Sequence, residues 1–298
     1  MSVYHVIQVS DIHLSAERAY NQANWVACLR HIAHEQPHLV VVTGDLVLDD
    51  PDSTEDHKFA RSQLNRIPVP WVATPGNHDI GDANPKPFMD QHINEERLQR
   101  YLSYFGADRW VRELGDWRLI GLNALLPGSG LDAEDEQYEW LRAVTRGDRS
   151  RRTALFLHKP LCVEHLAERS SADTCIIETG RQKLLSALSG VNLCLVASGH
   201  NHHYRTQVTA GVLMVWAPST GMYQIFPRSF RAMLCPGVVH YWLDEDRLEY
   251  GLVVPNGLVP NDVTALCDRY TTMRFAPPMP IARGLDAEDV GYANMPAL

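Results

Sequence analysis

Five short runs of strand-forming residues in this chain each end in polar side chains that strand propensity does not explain. Residues 4–9 run into Ser10-Asp11-Ile12-His13, residues 39–43 into Gly44-Asp45, and residues 71–74 into Pro75-Gly76-Asn77-His78-Asp79. Residues 154–157 run into His158, and residues 193–197 into Ser198-Gly199-His200-Asn201-His202. In an open α/β sheet the carboxyl ends of parallel strands meet along one edge, and ligands bind there. The pattern therefore delivers two Asp, one Asn and four His to one place. Unpaired carboxylates gathered in this way repel and are costly to bury, a conflict that a pair of cations resolves. The donors are oxygen and imidazole with no thiolate, which suits Mn, Fe, Zn or Co better than a soft metal. The glycines before Asp45, Asn77 and His200 are expected to let the backbone turn sharply. Alone, each of these motifs also reads as a polar turn, or for His158 as a core or surface histidine; the ordered set of five does not.

The rest of the chain frames that edge. Further strands are expected at residues 118–123, 212–216, 238–242 and 248–254, the last three in succession without helices. Helices fit between the earlier strands: residues 19–33, a helix from Ser53 to about residue 66 with Asp56 completing a capping box, a helix capped by Asp132, and residues 181–188. Strand and helix alternating, then strands in succession, predict an α/β fold of two stacked sheets with helices outside. Residues 1–255 are expected to form the main domain. The proline-broken stretch 256–298, with a short helix at 262–270, is expected to be an appendage on the body or on a neighbouring subunit.

Composition removes several classes of function. With 298 residues and 45% hydrophobic content the chain can bury a full core without disulfides or a structural metal. A net charge of −9 and a single broken basic run at residues 146–152 argue against a nucleic acid duplex as partner, and against a nuclease. Six cysteines without a CxxC pair are expected to be buried thiols in a reducing cytoplasm. The opening residues carry no cleavable-leader pattern, and the longest apolar runs are strand-sized, so no membrane partner is expected.

The motifs D-x-H, G-D, G-N-H-D, H and G-H-x-H, in this order over roughly residues 4–220, resemble those of the calcineurin-like metallophosphoesterase superfamily. The resemblance implies an αββα sandwich of two stacked mixed β-sheets flanked by helices. It implies two metal ions, Mn and/or Fe first and Zn or Co next: Asp11, His13 and His202 would bind one, and Asn77, His158 and His200 the other, with Asp45 bridging both. A hydroxide between the metals would attack a small phosphoester. His78 would face the substrate and stabilise the phosphoryl group or protonate the leaving oxygen, with Asp79 either orienting the His78 ring or serving as a turn residue. Short inserts and the Val9-Ser10-Asp11-Ile12-His13 opening are most similar to the bacterial class III cyclic-nucleotide phosphodiesterase and glycerophosphodiesterase branch. Where many relatives carry His-His-Pro, this chain has His158-Lys159-Pro160. Lys159 is expected at the surface, and His203 in a solvated turn. Segments 81–105 and 161–180 are either lids or ordinary connections. A phosphodiesterase for small diesters is the expected activity, ahead of a phosphomonoesterase or pyrophosphatase and of an inactive binding scaffold. A homo-oligomer is compatible with the tail.

Overall fold

The computed structural model describes residues 2–85, 90–169, 173–224, 232–270, 273 and 276–279. The first sheet is built from β1 (Tyr4–Val9), β2 (Leu39–Thr43), β3 (Trp71–Thr74), β10 (Val238–Leu243) and β11 (Leu248–Val253), in the order β11-β10-β1-β2-β3. The second comprises β4 (Trp110–Leu114), β5 (Trp117–Gly121), β6 (Arg152–Phe156), β7 (Leu193–Ser198), β8 (Arg205–Thr209) and β9 (Val212–Trp216), in the order β4-β5-β6-β7-β9-β8. Both sheets are mixed: β1-β2-β3 and β5-β6-β7-β9 are parallel, whereas β10 and β11, β4, and β8 pair antiparallel.

Alternation along the strands sorts the core into layers. Val6, Val41 and Tyr241 of the first sheet meet Leu119, Phe156 and Val215 of the second in one apolar interior. The opposite faces, with Ile7, Val40 and Leu155 among them, belong to a second cluster that includes residues of the covering helices. Those helices are α1 (Gln22–Glu35), α2 (Thr54–Leu64), α5 (Asp132–Thr145) and α6 (Glu178–Ala187). β2 is buried at all five positions, which is why its sequence is an unbroken apolar run ending in Thr43. The αββα sandwich is therefore the observed architecture.

Several local expectations need correction. Strands β4 and β8 and helices α3 (Asn77–Ile80) and α4 (Glu95–Phe105) were not expected. The strand expected at 118–123 lies at Trp117–Gly121, because past Gly121 the Gln137 side chain takes over, accepting from Asn123 N and donating to Asn123 O. Helix α1 starts at Gln22 rather than residue 19. Residues before it are engaged elsewhere: Ala19 N donates to Met279 O, and the Asn21 side chain donates to His13 O. Ser53 does cap α2 by accepting from Asp56 N, but the Asp56 carboxylate turns to Ala16 N, so the capping box is half made. Asp132 is not a cap. Leu131 holds that position, and Glu134 instead accepts from Gly128 N and Gly130 N. Of the six free cysteines only Cys28, Cys162 and Cys175 are buried.

In the tail, α7 (Thr264–Tyr270) begins where Asp262 Oδ1 accepts from Thr264 N. Val263, Met273 and Ala276 pack with Leu48 and Met222 of the body, and Arg18 Nε donates to Ala276 O. Residues 280–298 lie outside the described residues, as does the serine pair Ser170-Ser171 of the 161–180 segment. Among the described residues no helix is long and apolar enough to cross a membrane.

Candidate metal centre

The loops after β1 and β2 continue side by side beyond the sheet. Asp11 N donates to Gly44 O, His13 N to Asp45 O and Leu14 N to Leu46 O. This pairing presses two Asp-bearing loops together while their side chains turn inward, and the backbone bends sharply to do so. Asp11, His13, Asp45, His200 and His202 all have positive φ, between 48° and 70°. They are five of the eight non-glycine residues in that region among the described residues. Each such conformation costs on the order of 1 kcal/mol or more, and it persists only where surrounding structure enforces it.

The glycines act differently from the expectation. Only Gly44, at φ 83°, needs the left-handed region. Gly76 and Gly199 are needed for close approach. A Cβ on Gly76 would sit 2.2 Å from Asp45 Oδ1, and one on Gly199 would sit 1.9 Å from Ser10 Oγ.

The seven predicted side chains converge. Asp11, His13, Asp45 and His202 present ligand atoms all within 4.8 Å of one another, as do Asp45, His158 and His200. Asn77 Oδ1 lies 3.1 Å from His158 Nε2. Asp45 belongs to both groups. Its Oδ1 accepts from His78 N, while Oδ2 lies 3.4 Å from His158 Nε2 and 3.7 Å from His13 Nε2. Asp11 is fixed by Ser10 Oγ and by His200 N, and its Oδ1 lies 3.4 Å from His202 Nε2.

Histidine tautomers test whether this set fits cations. His13 Nδ1 and His158 Nδ1 each lie 2.8 Å from a backbone carbonyl, of Leu48 and Thr43, and His200 Nε2 lies 2.9 Å from Asp173 O. A carbonyl can only accept, so those nitrogens carry protons, and in the neutral rings that a metal requires the other ring nitrogens are lone pairs. The lone-pair nitrogens point at one another's groups: His13 Nε2 is 3.1 Å from His202 Nε2, and His200 Nδ1 is 3.2 Å from His158 Nε2. Nitrogens bound to one ion at about 2.1 Å, at angles of about 90–109°, stand about 3.0–3.4 Å apart. The donor set fits a pair of cations, and carbonyl-held imidazoles are the support such ligands use.

Charge in the metal-free cage follows the same geometry. Burial alone would raise the Asp45 carboxyl, but His158 and His78 beside it hold it well below the usual range. Burial opposes charging His158, yet Asp45 outweighs it and lifts that ring to about 9. His200, buried and facing both His158 and Lys159, falls to about 3.

His78 stands beside the cage, its Nε2 3.9 Å from Asp45 Oδ2 and its ring 18% exposed. The residue against its other nitrogen is Asp49, with Oδ1 2.8 Å from Nδ1. Asp79, expected as a candidate for that role, is committed elsewhere. Its carboxylate accepts from Leu46 N, Val47 N and Gly76 N and so ties the second and third motif loops together. Buried near Asp45, it is pushed up to about 7. The sequence offered no signal for Asp49, which sits in a run of loop residues indistinguishable from a solvated turn.

Two more expectations fail. Lys159 is buried, with Nζ 2.7 Å from Asp82 Oδ2, and His203 is buried against Asn201 O.

Comparison with known proteins places this cage. Residues 4–204 match the model of the calcineurin-like phosphoesterase family, two-thirds of the chain and all seven cage residues. The chain belongs to the calcineurin-like phosphoesterase family. This metallophosphoesterase is 27% identical over 262 residues to the probable glycerophosphodiester phosphodiesterase GpdQ of Arcobacter nitrofigilis, covering 82% of this chain and 90% of that one. It is 30% identical over 220 residues to a probable cyclic nucleotide phosphodiesterase of a Psychrobacter species, covering 70% and 59%. Both support the bacterial branch suggested by the motif order. Among solved structures, the fold is shared with a purple acid phosphatase of yellow lupin at TM-score 0.60 and 15% identity, covering 84% of this chain and 52% of that one. It is also shared with a dimetal phosphatase of Danio rerio at TM-score 0.56 and 14% identity, covering 84% and 95%.

Proposed function

We propose that this metallophosphoesterase is a dinuclear phosphodiesterase for small diesters of the cyclic-nucleotide or glycerophosphodiester type. The observation that carries the reading is the position of Asp45 Oδ2, between two histidine groups whose free ring nitrogens converge on it. Asp11, His13 and His202 would hold one ion, and Asn77, His158 and His200 the other, with Asp45 shared. Mn and Fe suit this oxygen and imidazole set, with Zn and Co next. Two such ions would supply Lewis-acid charge for the phosphoryl oxygens and a water acidified to near-neutral pKa.

The chain's own residues do the rest. Asp11 and Asp45 offset the positive charge of the centre, and their second oxygens, fixed by backbone N–H groups and Ser10, cannot drift with the substrate. His78 is held in register by Asp49 and donates to the phosphoryl group, or protonates the departing alkoxide, from Nε2. The buried Lys159 ammonium, paired with Asp82, helps keep the His200 ring neutral and so able to ligate. Diester preference rests on the similarity to the probable glycerophosphodiester and cyclic nucleotide phosphodiesterases. Their shared motifs serve monoesterases equally, so the pocket between motifs decides.

The metal-reconstituted protein should hydrolyse bis(p-nitrophenyl) phosphate at a kcat/KM at least tenfold above that for p-nitrophenyl phosphate. The reverse ratio would assign it as a phosphomonoesterase. No turnover of either, with metals bound, would leave only a binding scaffold.

A further inference from the structure

A second cluster of histidines lies at the opposite end of the first sheet. His5 is the second residue of β1, His240 the third of β10, and His31 and Glu35 sit one turn apart at the end of α1. Register pairs His5 with Trp242 and Ile7 with His240, so His5 and His240 share one face of the sheet. Ile7 on that face belongs to the same cluster as Trp25, Leu29 and Ile32 of α1, which identifies it as the face that α1 covers. His5 lies six residues before Asp11, a separation of about 20 Å along an extended strand.

His240 is only 2% exposed, and both of its ring nitrogens face other rings. Nδ1 is 3.0 Å from His5 Nε2, and Nε2 is 2.9 Å from His31 Nε2. A carboxylate oxygen of Glu35 completes a group with His5 and His240 in which the ligand atoms lie within 4.8 Å of one another. We propose that His5, His240 and Glu35 bind a zinc ion through His5 Nε2, His240 Nδ1 and the Glu35 carboxylate. Two nitrogens on one zinc stand about 3.0–3.4 Å apart at bonds of about 2.0–2.1 Å, and the His5–His240 contact already has that spacing. His240 Nε2–H then donates to His31, the outer partner that fixes a ligating ring. The Glu35 oxygen facing His34 Nδ1, at 3.1 Å, gains a similar brace.

The charge states agree with this use. Burial lowers His5 and His31 and takes His240 to about 4, so the rings are neutral at pH 7 and their lone pairs are available. Burial would raise Glu35, but His34 and the neighbouring rings bring it below its usual value, and it is ionised. One buried and two half-buried imidazoles and one anion at the foot of a β-α-β unit also tie β10 to β1 and α1, more than 200 residues away in sequence. With three protein ligands, the fourth position of a tetrahedral zinc there would be taken by water.

The full-length chain with Asp45→Ala, stripped with a chelator and titrated with zinc, separates this site from the catalytic cage. It should bind one equivalent, and Asp45→Ala/Glu35→Gln should bind zinc at least about tenfold more weakly with an unchanged circular dichroism spectrum. Glu35 closes a helix at a partly exposed position, so its amide variant should leave the fold intact. A zinc-edge anomalous map of the wild-type crystal should place a peak between His5 Nε2 and His240 Nδ1. Absence of that peak at saturating zinc overturns the proposal and leaves a chain of neutral imidazole hydrogen bonds. So does an equivalent that survives Glu35→Gln. Should Asp45→Ala instead retain the catalytic ions, the map still reports the distal site independently.

Discussion

The middles and the ends of the same strands obey opposite rules. Between the sheets, Val41, Leu119 and Phe156 occupy ordinary extended backbone, are fully or almost fully buried and make no polar demand. A few residues on, Asp45 and His158 are just as buried, and Asp45 adopts a backbone conformation that favours glycine. Burial in the first place is stabilising, at roughly 25 cal/mol per Å² of apolar surface. In the second it carries an expense: the desolvation of carboxylates and of the His13 and His200 rings, together with the left-handed residues, raises the energy of the metal-free chain. The sandwich interior holds the loops in positions they would not choose, and cations recover the cost. Stability and chemistry are thus drawn from adjoining segments of one strand.

The sharpest way to break this comparison is Asp45→Ala. It should abolish metal binding and lower turnover by at least about 10⁴-fold, because the shared oxygen is lost to both groups. In the metal-free chain His158 and His78 hold Asp45 ionised, so its loss should lower the melting temperature of the metal-free protein at neutral pH. An unchanged melting temperature would show that the burial of this carboxylate cancels its pairing. Phe156→Ala inverts the pattern, with a stability loss of about 3–5 kcal/mol in urea and metal stoichiometry unchanged.

His78→Ala should keep both ions by metal analysis and lose about 10²–10⁴-fold in kcat. A metal-free His78→Ala protein would make His78 part of the cage instead. Asp49→Asn should cost roughly tenfold in kcat, about 1.4 kcal/mol, by releasing the His78 ring. Asp79→Asn should act on stability and metal affinity, since its carboxylate holds three backbone N–H groups. If instead Asp79→Asn removed kcat alone and Asp49→Asn nothing, the assignment of these two aspartates would be reversed.

Those two aspartates also mark where the sequence could be read and where it could not. β1, β2 and β3 stand where residue pattern placed them, because each is a buried parallel strand whose apolar run stops at a motif. The seven cage residues were legible for the same reason: nothing else ends five strands in that order. Asp79 and Asp49 differ only in what lies across from them, Asp79 meeting the backbone of the second motif and Asp49 the ring of the third. Such cross-loop partners have no local signature. Lys159 looked like a surface residue because its partner Asp82 is 77 positions away. α4 was hidden by a polar sequence, Glu95-Glu96-Arg97, although Asn94 caps it by accepting from Arg97 N. β4 carries exposed charge at Arg112 and Glu113, as an edge strand does, and so lacks the apolar run that exposed its neighbours.

Arg97 supplies the mildest test, a polar pair on the rim against which the buried polar cage can be measured. Its Nε and Nη2 donate to the two oxygens of Asp52 at 2.8 and 2.5 Å, and Arg100 adds a third contact at 3.2 Å, pinning α4 to the loop before α2. The hydrogen bonds from Arg97 hold the Asp52 carboxyl below its ordinary 3.8 in the folded chain. A carboxyl depressed on folding stabilises the native state above its unfolded pKa, and that contribution disappears as pH falls through the folded value. Because the Asp52 side chain is 49% exposed, solvent screens the pair, and its worth at pH 7 is under about 1 kcal/mol. Urea unfolding of the metal-free wild type and of Asp52→Asn should therefore differ by that small amount at pH 7 and converge as pH falls below 3.8. A difference that persists or widens in acid would mean that Asp52 stabilises the chain other than through its charge. Then the contrast between the buried polar cage and a mildly helpful exposed pair would lose its control.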